Sequence, residues 1–492
     1  MNSPVNPPDQ LNHSVPLCVD LDGTLVRTDF LLETAIVAIR NHWPIIFQLP
    51  FWFLTGKARA KSKLAKFGTC NLETIPWNEE FINYLKKEHE KGRRIVLATA
   101  SDRSIAESVA LRLGIFEEVI SSDGITNIKG EAKAKVLVDR YSEHGFDYAG
   151  NDNSDLPVWK RARTALIVNA RSNVSKSVAK LVHVEHEFGR RRPVILGLIK
   201  GCRIYQWIKN ILVFIPMVVA HRLFEKSALF PSLLTFAGFC AAASGIYLIN
   251  DLMDLEADRL HPRKRYRPFA SGELPLQYGV VGLFLITIAI TIGLVVSRGI
   301  LSIILLYITL SLVYSNFIKT KPLADVFCLA ALYLLRVIAG GFASGSHASV
   351  WLLNFSGFLF LSLGFLKRYA EYPQSDFEST SKNVRRGYKN FDSLLIIIMG
   401  VSSSFLSSMV LGLYVNSAQA QYIYQTPFLL WGFVPLVLYW QCRMWLATIR
   451  GNMHDDPILY AAKDRISYLI VALLILIYIA ASFNLNLGYF LN

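Results

Sequence analysis

Three acidic residues follow a long apolar segment in the middle of the chain, at a spacing that suits a metal ion. Asp251, Asp254 and Asp258 are three and four residues apart, so on a continuous helix they would share one face. Carboxylates this close repel one another, and a divalent cation such as Mg²⁺ relieves the repulsion. A cationic cluster follows directly: Arg259, Arg263, Lys264, Arg265 and Arg267. A solvated loop would explain the basic residues but not the acids, so we predict a site for a diphosphate or phosphoribosyl group.

A second pair of acids lies near the start of the chain. The segment Leu17–Val19 is apolar enough to be a buried strand, and Asp20, Asp22 and Gly23 follow it. An aspartate at the end of a strand can attack a phosphoryl group, and another one two residues later can act as general acid and base. The glycine lets the backbone turn close to a phosphate. This pattern predicts phosphoryl transfer to an aspartate.

Alternating helix and strand patterns in residues 1–170 must position this second pair. Strands are predicted at 17–19, 94–98 and 165–169, and helices at 77–91 and 105–113. The alternation indicates an α/β domain with a doubly wound parallel sheet, and active residues at the carboxyl ends of its strands agree with that fold. We expect the domain to end near Ala170 and residues 171–199 to form a basic linker.

Composition and charge narrow the class of protein. The chain has 492 residues and a formal net charge of +14. Its basic residues lie mostly between apolar spans, so anionic lipids and phosphorylated substrates explain them better than nucleic acid does. Six scattered cysteines without a CxxC pair predict neither a zinc site nor a disulfide framework. The first residues lack the basic region and apolar core of a signal peptide, so the front domain is expected in the cytoplasm.

Residues 200–492 are predicted to form an all-α polytopic membrane domain of nine transmembrane helices. The predicted spans are 204–220, 229–249, 276–296, 299–317, 323–343, 349–366, 391–415, 427–445 and 466–486. Most Lys and Arg residues lie in the loops on one side, whereas the other side carries only Arg222, Lys226 and Arg298. We therefore predict a multi-pass protein of the inner (cytoplasmic) membrane, with the N-terminal domain in the cytoplasm and the C-terminus outside.

Polar residues at the predicted cytoplasmic mouth extend the candidate site. Lys209 and Asn210 lie at the start of the first span. Arg336 lies within the fifth span, where an unpaired charge costs about 3 kcal/mol on insertion scales. Its partner is expected to be a phosphate or, alternatively, an acid such as Asp325. Before the last span the sequence offers Asp455, Asp456 and Asp464, part of which a helix cap would explain.

The loop after the sixth span forms a second candidate wall. Lys367, Arg368 and Tyr369 could hold donor phosphates, and Glu371 a metal or a hydroxyl group. Further charges follow at Asp376, Glu378, Arg385 and Arg386. The alternative interpretation is a basic membrane anchor.

The front domain resembles the haloacid dehalogenase (HAD) phosphatases. The resemblance rests on DLDGT at Asp20 to Thr24 and on later motifs in the expected order. It implies that Thr99 holds a phosphoryl oxygen, with Ser101 less suited, and that Lys133 neutralises charge. The metal-binding motif GNDNSD departs from the family, since Asn151 stands where an acid is usual. The implied metal ligands are Asp20, Asp22, Asp152 and Asp155, with Asp152 replacing Asn151 by a one-residue shift.

Residues 30–74 fall where the HAD family places a cap over the active site. This insertion mixes aromatic and basic residues, and Pro44 and Pro50 interrupt it too often for a membrane span. A cap resting on the membrane surface and an ordinary helical cap are both compatible with it.

The membrane half resembles the UbiA superfamily of prenyltransferases, and within it the decaprenyl-phosphate phosphoribosyltransferases. NDLMDLEAD matches the superfamily's first acidic motif, and HPRKRYRPFASG and KRYAE match that branch. The resemblance implies Mg²⁺ at Asp251, Asp254 and Asp258. The implied substrate-binding residues are Lys209, Asn210, Asn250, Arg259, Lys264, Arg267, Arg336, Lys367, Arg368, Tyr369 and Glu371. A second acidic motif, common in the superfamily, is not clearly present after the sixth span, which favours the phosphoribosyltransferase branch.

The resemblance implies an enzyme that joins a phosphoribosyl group from phosphoribosyl pyrophosphate to a polyprenyl phosphate. We expect the fused HAD-like domain to remove the 5-phosphate of that product. One alternative is a UbiA prenyltransferase that moves a prenyl group from its diphosphate to an aromatic or other acceptor. Another is a membrane scaffold that tethers a cytoplasmic phosphatase.

Overall fold

A computed structural model describes residues 15–42, 44–54, 63–64, 67–68, 70–122, 128–371, 387–388, 392–453 and 456–482. The chain folds as two compact units. The first comprises Met1–Cys202 with Tyr247–Gly282, and the second comprises Arg203–Ile246 with Leu283–Asn492. The acidic motif predicted for the membrane domain therefore belongs to the same compact unit as the front domain.

The first unit contains a six-stranded parallel sheet with the strand order β3-β2-β1-β4-β5-β6. The strands are β1 (Leu17–Val19), β2 (Ile95–Asp102), β3 (Glu118–Ser122), β4 (Asp147–Gly150), β5 (Thr164–Ala170) and β6 (His183–Arg190). The helices between and after them are α1 (Phe30–Asn41), α2 (Ile45–Leu54), α3 (Glu79–Glu90), α4 (Arg103–Leu113), α5 (Glu131–Tyr141), α6 (Leu156–Trp159), α7 (Ser172–Val178) and α8 (Val194–Gly201). The predicted doubly wound parallel sheet is confirmed.

The two faces of β1 explain why this sheet needs helices on both sides. Leu17 and Val19 are fully buried in one apolar core, and Cys18 is fully buried in the other. Side chains alternate across a strand, so a continuous apolar run requires cover on both faces of the sheet.

The sheet continues beyond Ala170, where the sequence predicted a linker. Strand β6 pairs in parallel with β5, and Val168 lies opposite Phe188. The ring of Phe188 packs 5.2 Å from that of Phe81 in α3. This edge strand lacks an apolar pattern in the sequence, because most of its residues are polar and partly exposed.

Helices α1 and α2 form part of the predicted cap. Ile45 of α2 is buried against Ala38 of α1. On α2, by contrast, Phe47, Phe51 and Leu54 are 68%, 69% and 84% exposed. A cap resting on a membrane would need such an apolar face. The membrane-surface position of the cap therefore agrees with the structure and stays a prediction. Residues 55–62 of the insertion lie outside the described part of the chain.

The remaining helices begin with α9 (Ile215–Val219), α10 (Lys226–Met253), α11 (Leu255–Leu260), α12 (Val280–Val296), α13 (Arg298–Val313), α14 (Ala324–Ser344) and α15 (Val350–Ala370). They continue with α16 (Asp392–Val415), α17 (Ala418–Ile423), α18 (Phe433–Ile449), α19 (Pro457–Ala461) and α20 (Arg465–Ser482). Within the described residues, seven helices are long and apolar enough to cross a membrane. The number is eight if the bent pair Val194–Gly201 and Ile204–Val219 is one span.

The count of nine spans is not confirmed, and the first and eighth predicted spans account for the difference. The first consists of a 3₁₀ segment, Ile204–Phe214, followed by the short helix α9. The eighth begins as a 3₁₀ segment, Pro427–Gly432, and continues in α18. Pro216 and Pro427 each stand in the first turn of a short helical segment, where the missing N–H of proline costs little.

The predicted orientation can be tested with single cysteines at positions between the candidate spans. In a background with Cys442 replaced by serine, Ser346→Cys and Gln419→Cys should react with an impermeant thiol reagent added from outside. Thr320→Cys should react only after the membrane is permeabilised. The reverse pattern would overturn the orientation inferred from the loop charges. The loop containing Ser379, which the sequence also places inside, lies outside the described residues.

Candidate active sites

The acids Asp20 and Asp22 lie where β1 ends, at the carboxyl edge of the sheet. The carboxylate of Asp22 accepts hydrogen bonds from the Phe30 N–H (2.9 Å) and from the Ser101 hydroxyl (2.6 Å). Thr99 lies in β2, and its hydroxyl oxygen accepts from the Ser101 N–H (3.1 Å). The structure therefore places the predicted acids at the same sheet edge as Thr99. The role of Ser101 in holding Asp22 was not predicted.

Lys133 connects the acids of this edge. Its Nζ lies 2.7 Å from Oδ1 of Asp20 and 3.8 Å from Oδ1 of Asp155. The hydroxyl of Tyr148 accepts from Lys133 (2.8 Å) and donates to Asp155 (2.9 Å). All four side chains are buried, so each charge has a partner of the opposite sign or a hydrogen bond. Tyr148 was not predicted, although a tyrosine in a buried strand implies a hydrogen-bond partner for its hydroxyl.

Burial also raises the pKa values of the two acids that follow β1, Asp20 and Asp22. It raises the pKa of Asp20 to about 6, although Lys133 opposes the increase. Burial, together with the negative charge of Asp29, raises the pKa of Asp22 to about 7. A carboxyl group with a pKa near neutrality can hold a proton and then release it. Asp22 therefore suits the role of general acid and base.

The metal-binding motif differs from the sequence prediction. Asp152 is exposed, and its carboxylate accepts from the Asn153 N–H (2.8 Å) to cap a short 3₁₀ helix. Asn151 instead lies over the turn after β1: a Cβ placed on Gly23, whose φ is +78°, would be 1.9 Å from the Asn151 amide nitrogen. The shift to Asp152 stays a prediction, for a side chain that in this structure acts as a helix cap. Asn151 is neutral where the family usually has an acid, so any cation held at this edge would meet one negative charge fewer.

The acidic ladder after the second predicted span is not one continuous helix. Helix α10 ends at Met253, and Asp254 is the N-cap of α11, with φ −95° and ψ 10°. Asp251 and Asp258 are both buried, and both accept from the same Nη1 atom of Arg267, at 2.9 and 2.7 Å. The two carboxylates thus converge on one position, at which a guanidinium nitrogen stands in for a cation.

The arrangement of Asp251 and Asp258 around one cationic atom is compatible with Mg²⁺. Two carboxylates that meet at one cationic atom offer the hard oxygen ligands that Mg²⁺ prefers. Burial raises the pKa of Asp258, and the nearby Arg267 opposes that increase, so a cation favours the charged form. The described residues contain no group of three or more His, Cys, Asp or Glu side chains arranged around a metal. Asp251 and Asp258 are therefore the pair that would hold the ion, with Asp254 beside the helix break.

Two of the basic residues predicted to bind substrate are bound to acids instead. Arg267 joins Asp251 and Asp258, as described above. Arg259 donates to both carboxylate oxygens of Glu33 in α1, at 3.1 and 2.5 Å. Lys264 is exposed in a 3₁₀ turn, and Asn250 lies in the last turn of α10. In this structure Arg259 thus forms a structural contact with the front domain, and the substrate-binding role predicted for it stays a prediction.

The Glu33–Arg259 pair gives a stability prediction. Both side chains are about 5% exposed, so Glu33→Gln leaves a buried guanidinium without its carboxylate. The free energy of unfolding should fall by about 3 kcal/mol, measured by chemical denaturation of the solubilised chain. The nearby Arg40–Glu256 pair is an exposed control, and Glu256→Gln should cost less than about 1 kcal/mol. Equal losses of unfolding free energy in Glu33→Gln and Glu256→Gln would contradict the assignment of Glu33–Arg259 as a buried, stabilising ion pair.

In the second unit, two lysines share one carboxylate oxygen. Lys209 and Lys367 lie 2.7 and 3.1 Å from Oδ2 of Asp456. Burial alone would raise the pKa of Asp456, but Lys367 and Lys209 hold it below its usual value. The other oxygen of Asp456 accepts from the Ile458 N–H (3.3 Å), which caps α19. The predicted basic residues of the first and sixth spans are thus brought together, by an acid that the sequence analysis treated partly as a cap.

Arg336 is buried in α14 and hydrogen-bonds to neutral groups. It donates to the Asn210 side-chain oxygen (2.7 Å), to the Tyr307 hydroxyl (3.0 Å) and to the Leu332 carbonyl. No carboxylate in the described part of the chain pairs with it. The alternative partner Asp325 is therefore excluded for this residue, because that carboxylate forms an ion pair with Arg368.

The other residues of the KRYAE segment face protein partners. Arg368 is bound by Asp325 and Glu371 and donates to the Tyr314 hydroxyl (2.9 Å). Tyr369 packs in an apolar cluster, with its ring 6.4 Å from that of Trp445. In this structure Arg368, Tyr369 and Glu371 thus have partners within the protein, and the substrate-binding roles predicted for them stay predictions. Asp376, Glu378, Arg385, Arg386 and Asp455 lie outside the described residues.

Comparisons with known proteins match both halves of the chain. The UbiA prenyltransferase family matches residues 211–463, which is more than half of the chain. The haloacid dehalogenase-like hydrolase family matches residues 17–160. The second match covers β1 to α6 of the sheet domain and includes Asp20, Lys133 and Asp155.

Similar proteins agree with these matches. An uncharacterised protein of Sinorhizobium fredii is 32% identical over 95% of this chain and 91% of its own length. The decaprenyl-phosphate phosphoribosyltransferase of Mycolicibacterium smegmatis is 33% identical over 46% of this chain and 73% of its own length. A UbiA homologue from Archaeoglobus fulgidus, solved with GPP and Mg²⁺, aligns at 17% identity over 58% of this chain and 99% of its own, with a TM-score of 0.45. The chain therefore belongs to the UbiA prenyltransferase family and carries a haloacid dehalogenase-like domain at its N-terminus.

Proposed function

We propose that the membrane half transfers a phosphoribosyl group from phosphoribosyl pyrophosphate to a polyprenyl phosphate. The observation that carries this proposal is the pair of lysines, Lys209 and Lys367, on one oxygen of Asp456. Two cations on one acid leave positive charge that a phosphate oxygen can neutralise. Both proposed substrates are phosphorylated, whereas transfer of a prenyl group to an aromatic acceptor uses only one phosphorylated substrate.

In the proposed reaction, a phosphate oxygen of the lipid attacks the anomeric carbon of the donor. The bond from that carbon to the pyrophosphate oxygen breaks, and pyrophosphate leaves with the bonding electrons. Mg²⁺ bound at Asp251 and Asp258 would supply charge neutralisation for the diphosphate. Lys209 and Lys367 would bind phosphate oxygens, with Asp456 holding both side chains extended when no phosphate is bound.

Relatives and charge together support this choice of substrates. The mycobacterial relative is named for phosphoribosyl transfer to decaprenyl phosphate, and its similarity covers most of its own length. Arg336 adds a buried guanidinium whose hydrogen bonds all go to neutral acceptors. A buried charge of this kind in a membrane helix usually faces a polar pathway or a substrate.

The HAD-like domain is proposed to hydrolyse a phosphate monoester. Asp20 would attack phosphorus and form an aspartyl phosphate, while Asp22 protonates the oxygen of the departing alcohol. Asp22 would then take a proton from the water that hydrolyses the intermediate, which suits its raised pKa. Lys133 lies 2.7 Å from Asp20 and would balance the charge of the phosphoryl group.

The two activities are proposed to act in sequence. Phosphoribosyl transfer leaves a 5-phosphate on the lipid-linked ribose, which is a phosphate monoester. Because both domains belong to one chain, that product would meet the phosphatase at a raised effective concentration. The final lipid would therefore carry an unphosphorylated ribose.

The choice of donor tests the transferase proposal. Membranes that contain the full chain should incorporate label from phosphoribosyl pyrophosphate into lipid when polyprenyl phosphate and Mg²⁺ are supplied. Asp456→Lys should reduce this incorporation, since a third lysine would repel the pair that the acid holds. Incorporation from a prenyl diphosphate into an aromatic acceptor, without any from phosphoribosyl pyrophosphate, would instead identify an ordinary prenyltransferase. Turnover of neither donor would favour the scaffold.

A further inference from the structure

A strongly basic cleft lies in the first compact unit, apart from the side chains assigned to either reaction. Its volume is about 380 Å³. One wall is formed by Ser271 to Glu273, in the loop that follows the acidic motif and is called the acidic-motif loop below. The other walls come from the segment after the DxDGT motif, from the ends of β5 and β6, and from α8. The charged residues that line it are Arg27, Arg190, Arg191, Arg192, Lys200 and Glu273. Such a volume suits a ligand larger than a single inorganic ion.

The protein balances the charges of this basic cleft only in part. Among the described residues that line it, the one acid, Glu273, is shared by Lys200 (2.9 Å) and Arg192 (3.4 Å), and Arg190 pairs with Glu187 (3.4 Å). Neither Arg27 nor Arg191 forms an ion pair within the described residues. Burial, together with the neighbouring Arg171, lowers the pKa of Arg191, as expected for a guanidinium held among like charges. The cleft therefore attracts an anion with more than one negative charge.

Helix α8 connects the basic cleft to the membrane boundary. Gly197 and Gly201 allow close packing, since a Cβ there would lie 3.2 Å from Leu274 and 2.8 Å from Leu248 of α10. Helix α10 is a candidate membrane span, and Leu248 lies near its end. Ile195 and Ile199, on other positions of α8, are 60% and 44% exposed. A helix with exposed apolar residues beside a basic cluster is typical of a membrane interface.

The shape of the cleft depends on a close contact between two of its walls. Gly272 has φ +73°, and a Cβ on it would lie 2.7 Å from the carbonyl oxygen of Arg27. Only glycine permits this approach without a shift of backbone. The acidic-motif loop is thereby held against the segment that follows Asp22, which fixes Arg27 at the cleft.

We propose that this basic cleft binds the phosphate group of an anionic lipid whose acyl or prenyl chain lies along the exposed apolar residues of α8. Arg27 and Arg191 bind the phosphate oxygens, because the acid of the cleft already occupies Lys200 and Arg192. The lipid is either a membrane phospholipid or a polyprenyl phosphate, since both present a phosphate at the end of an apolar chain. The proposal rests on the cleft alone and stands whether or not the chain transfers phosphoribose.

The test measures lipid binding by native mass spectrometry of the full chain in detergent. The probes are a short-chain phosphatidylglycerol, a polyprenyl phosphate, a short-chain phosphatidylcholine and inorganic phosphate. We expect both anionic lipids to bind, and both to bind at least about tenfold more weakly to the Arg27→Gln/Arg191→Gln variant. Arg94→Gln, an exposed arginine at the start of β2, is the matched control and should bind as the parent does.

The outcomes separate the sources of the phosphate and can overturn the proposal. Tighter binding of phosphatidylglycerol identifies a membrane phospholipid, and tighter binding of polyprenyl phosphate identifies the prenyl lipid. Equal binding of phosphatidylcholine, or an unchanged affinity in the double variant, overturns the proposal. If inorganic phosphate binds as tightly as either lipid, the lipid chain contributes nothing to binding, and the proposal that the ligand is a lipid is overturned. A Gly272→Ala variant tests the shape of the cleft without removing a charge. It should also bind both anionic lipids more weakly than the parent does.

Discussion

Asp251→Asn should reduce transfer to the lipid by about 100-fold or more while membrane insertion and phosphatase activity remain. The substitution keeps the size of the side chain and removes one of the two carboxylates that meet at Arg267. A diphosphate whose metal is held by a single acid loses much of its charge neutralisation. Initial rates of lipid labelling at several Mg²⁺ concentrations measure the effect.

The structure changes what we expect of the other two acids in the ladder. From the sequence, Asp254→Asn should be as severe as Asp251→Asn, and Asp258→Asn milder because it lies farthest from the span. In the folded chain, Asp258 is as buried as Asp251 and shares its partner, so its loss should be equally severe. Glu256→Gln is the matched control, since Glu256 is exposed on the same short helix. Full activity of Asp251→Asn at low Mg²⁺ would refute the metal site.

Asp20→Asn should abolish phosphate release, with a loss of at least about 1,000-fold, because the amide cannot form the acyl phosphate. Transfer to the lipid should continue, so the 5-phosphorylated lipid should accumulate. Mass spectrometry of the extracted lipid would detect the additional phosphate. Asp139→Asn, an exposed aspartate on α5, is the control and should give the parental product. Identical lipids from Asp20→Asn and the parent would end the proposed coupling.

The sheet domain was predictable because its signals are local. An apolar strand followed by two acids can be recognised without knowing its neighbours, and parallel strands bring their carboxyl ends to one edge. The position of Thr99 in the neighbouring strand β2 agrees with the same rule, whereas Lys133 reaches that edge from helix α5. Strand β6 escaped prediction because a polar edge strand lacks the apolar pattern that identifies the others.

The partners of the basic residues could not be predicted, because they depend on contacts between distant parts of the chain. Arg259 pairs with Glu33, which lies 226 positions earlier. Arg368 likewise pairs with Asp325 in another helix. From the sequence, each of these arginines is a cation near a phosphate site, and only the fold shows that an acid already neutralises it.

The helix break at Asp254 limited the prediction of the acidic ladder in a similar way. The spacing of Asp251, Asp254 and Asp258 predicts that they share one helix face. That prediction holds only if one helix continues through all three residues. The chain leaves α10 at Met253, and a second contact, through Arg267, brings Asp251 and Asp258 together. Asp251 and Asp258 thus meet for a reason that periodicity does not contain.

A double-label experiment follows both proposed activities at once. Membranes with the full chain receive polyprenyl phosphate, Mg²⁺ and phosphoribosyl pyrophosphate that carries radiocarbon in the ribose and radiophosphorus in the 5-phosphate. The account predicts that radiocarbon enters the lipid and radiophosphorus is released as inorganic phosphate, with radiophosphorus retained on the lipid in Asp20→Asn. Absence of radiocarbon from the lipid in the parent, with intact donor remaining, would contradict it.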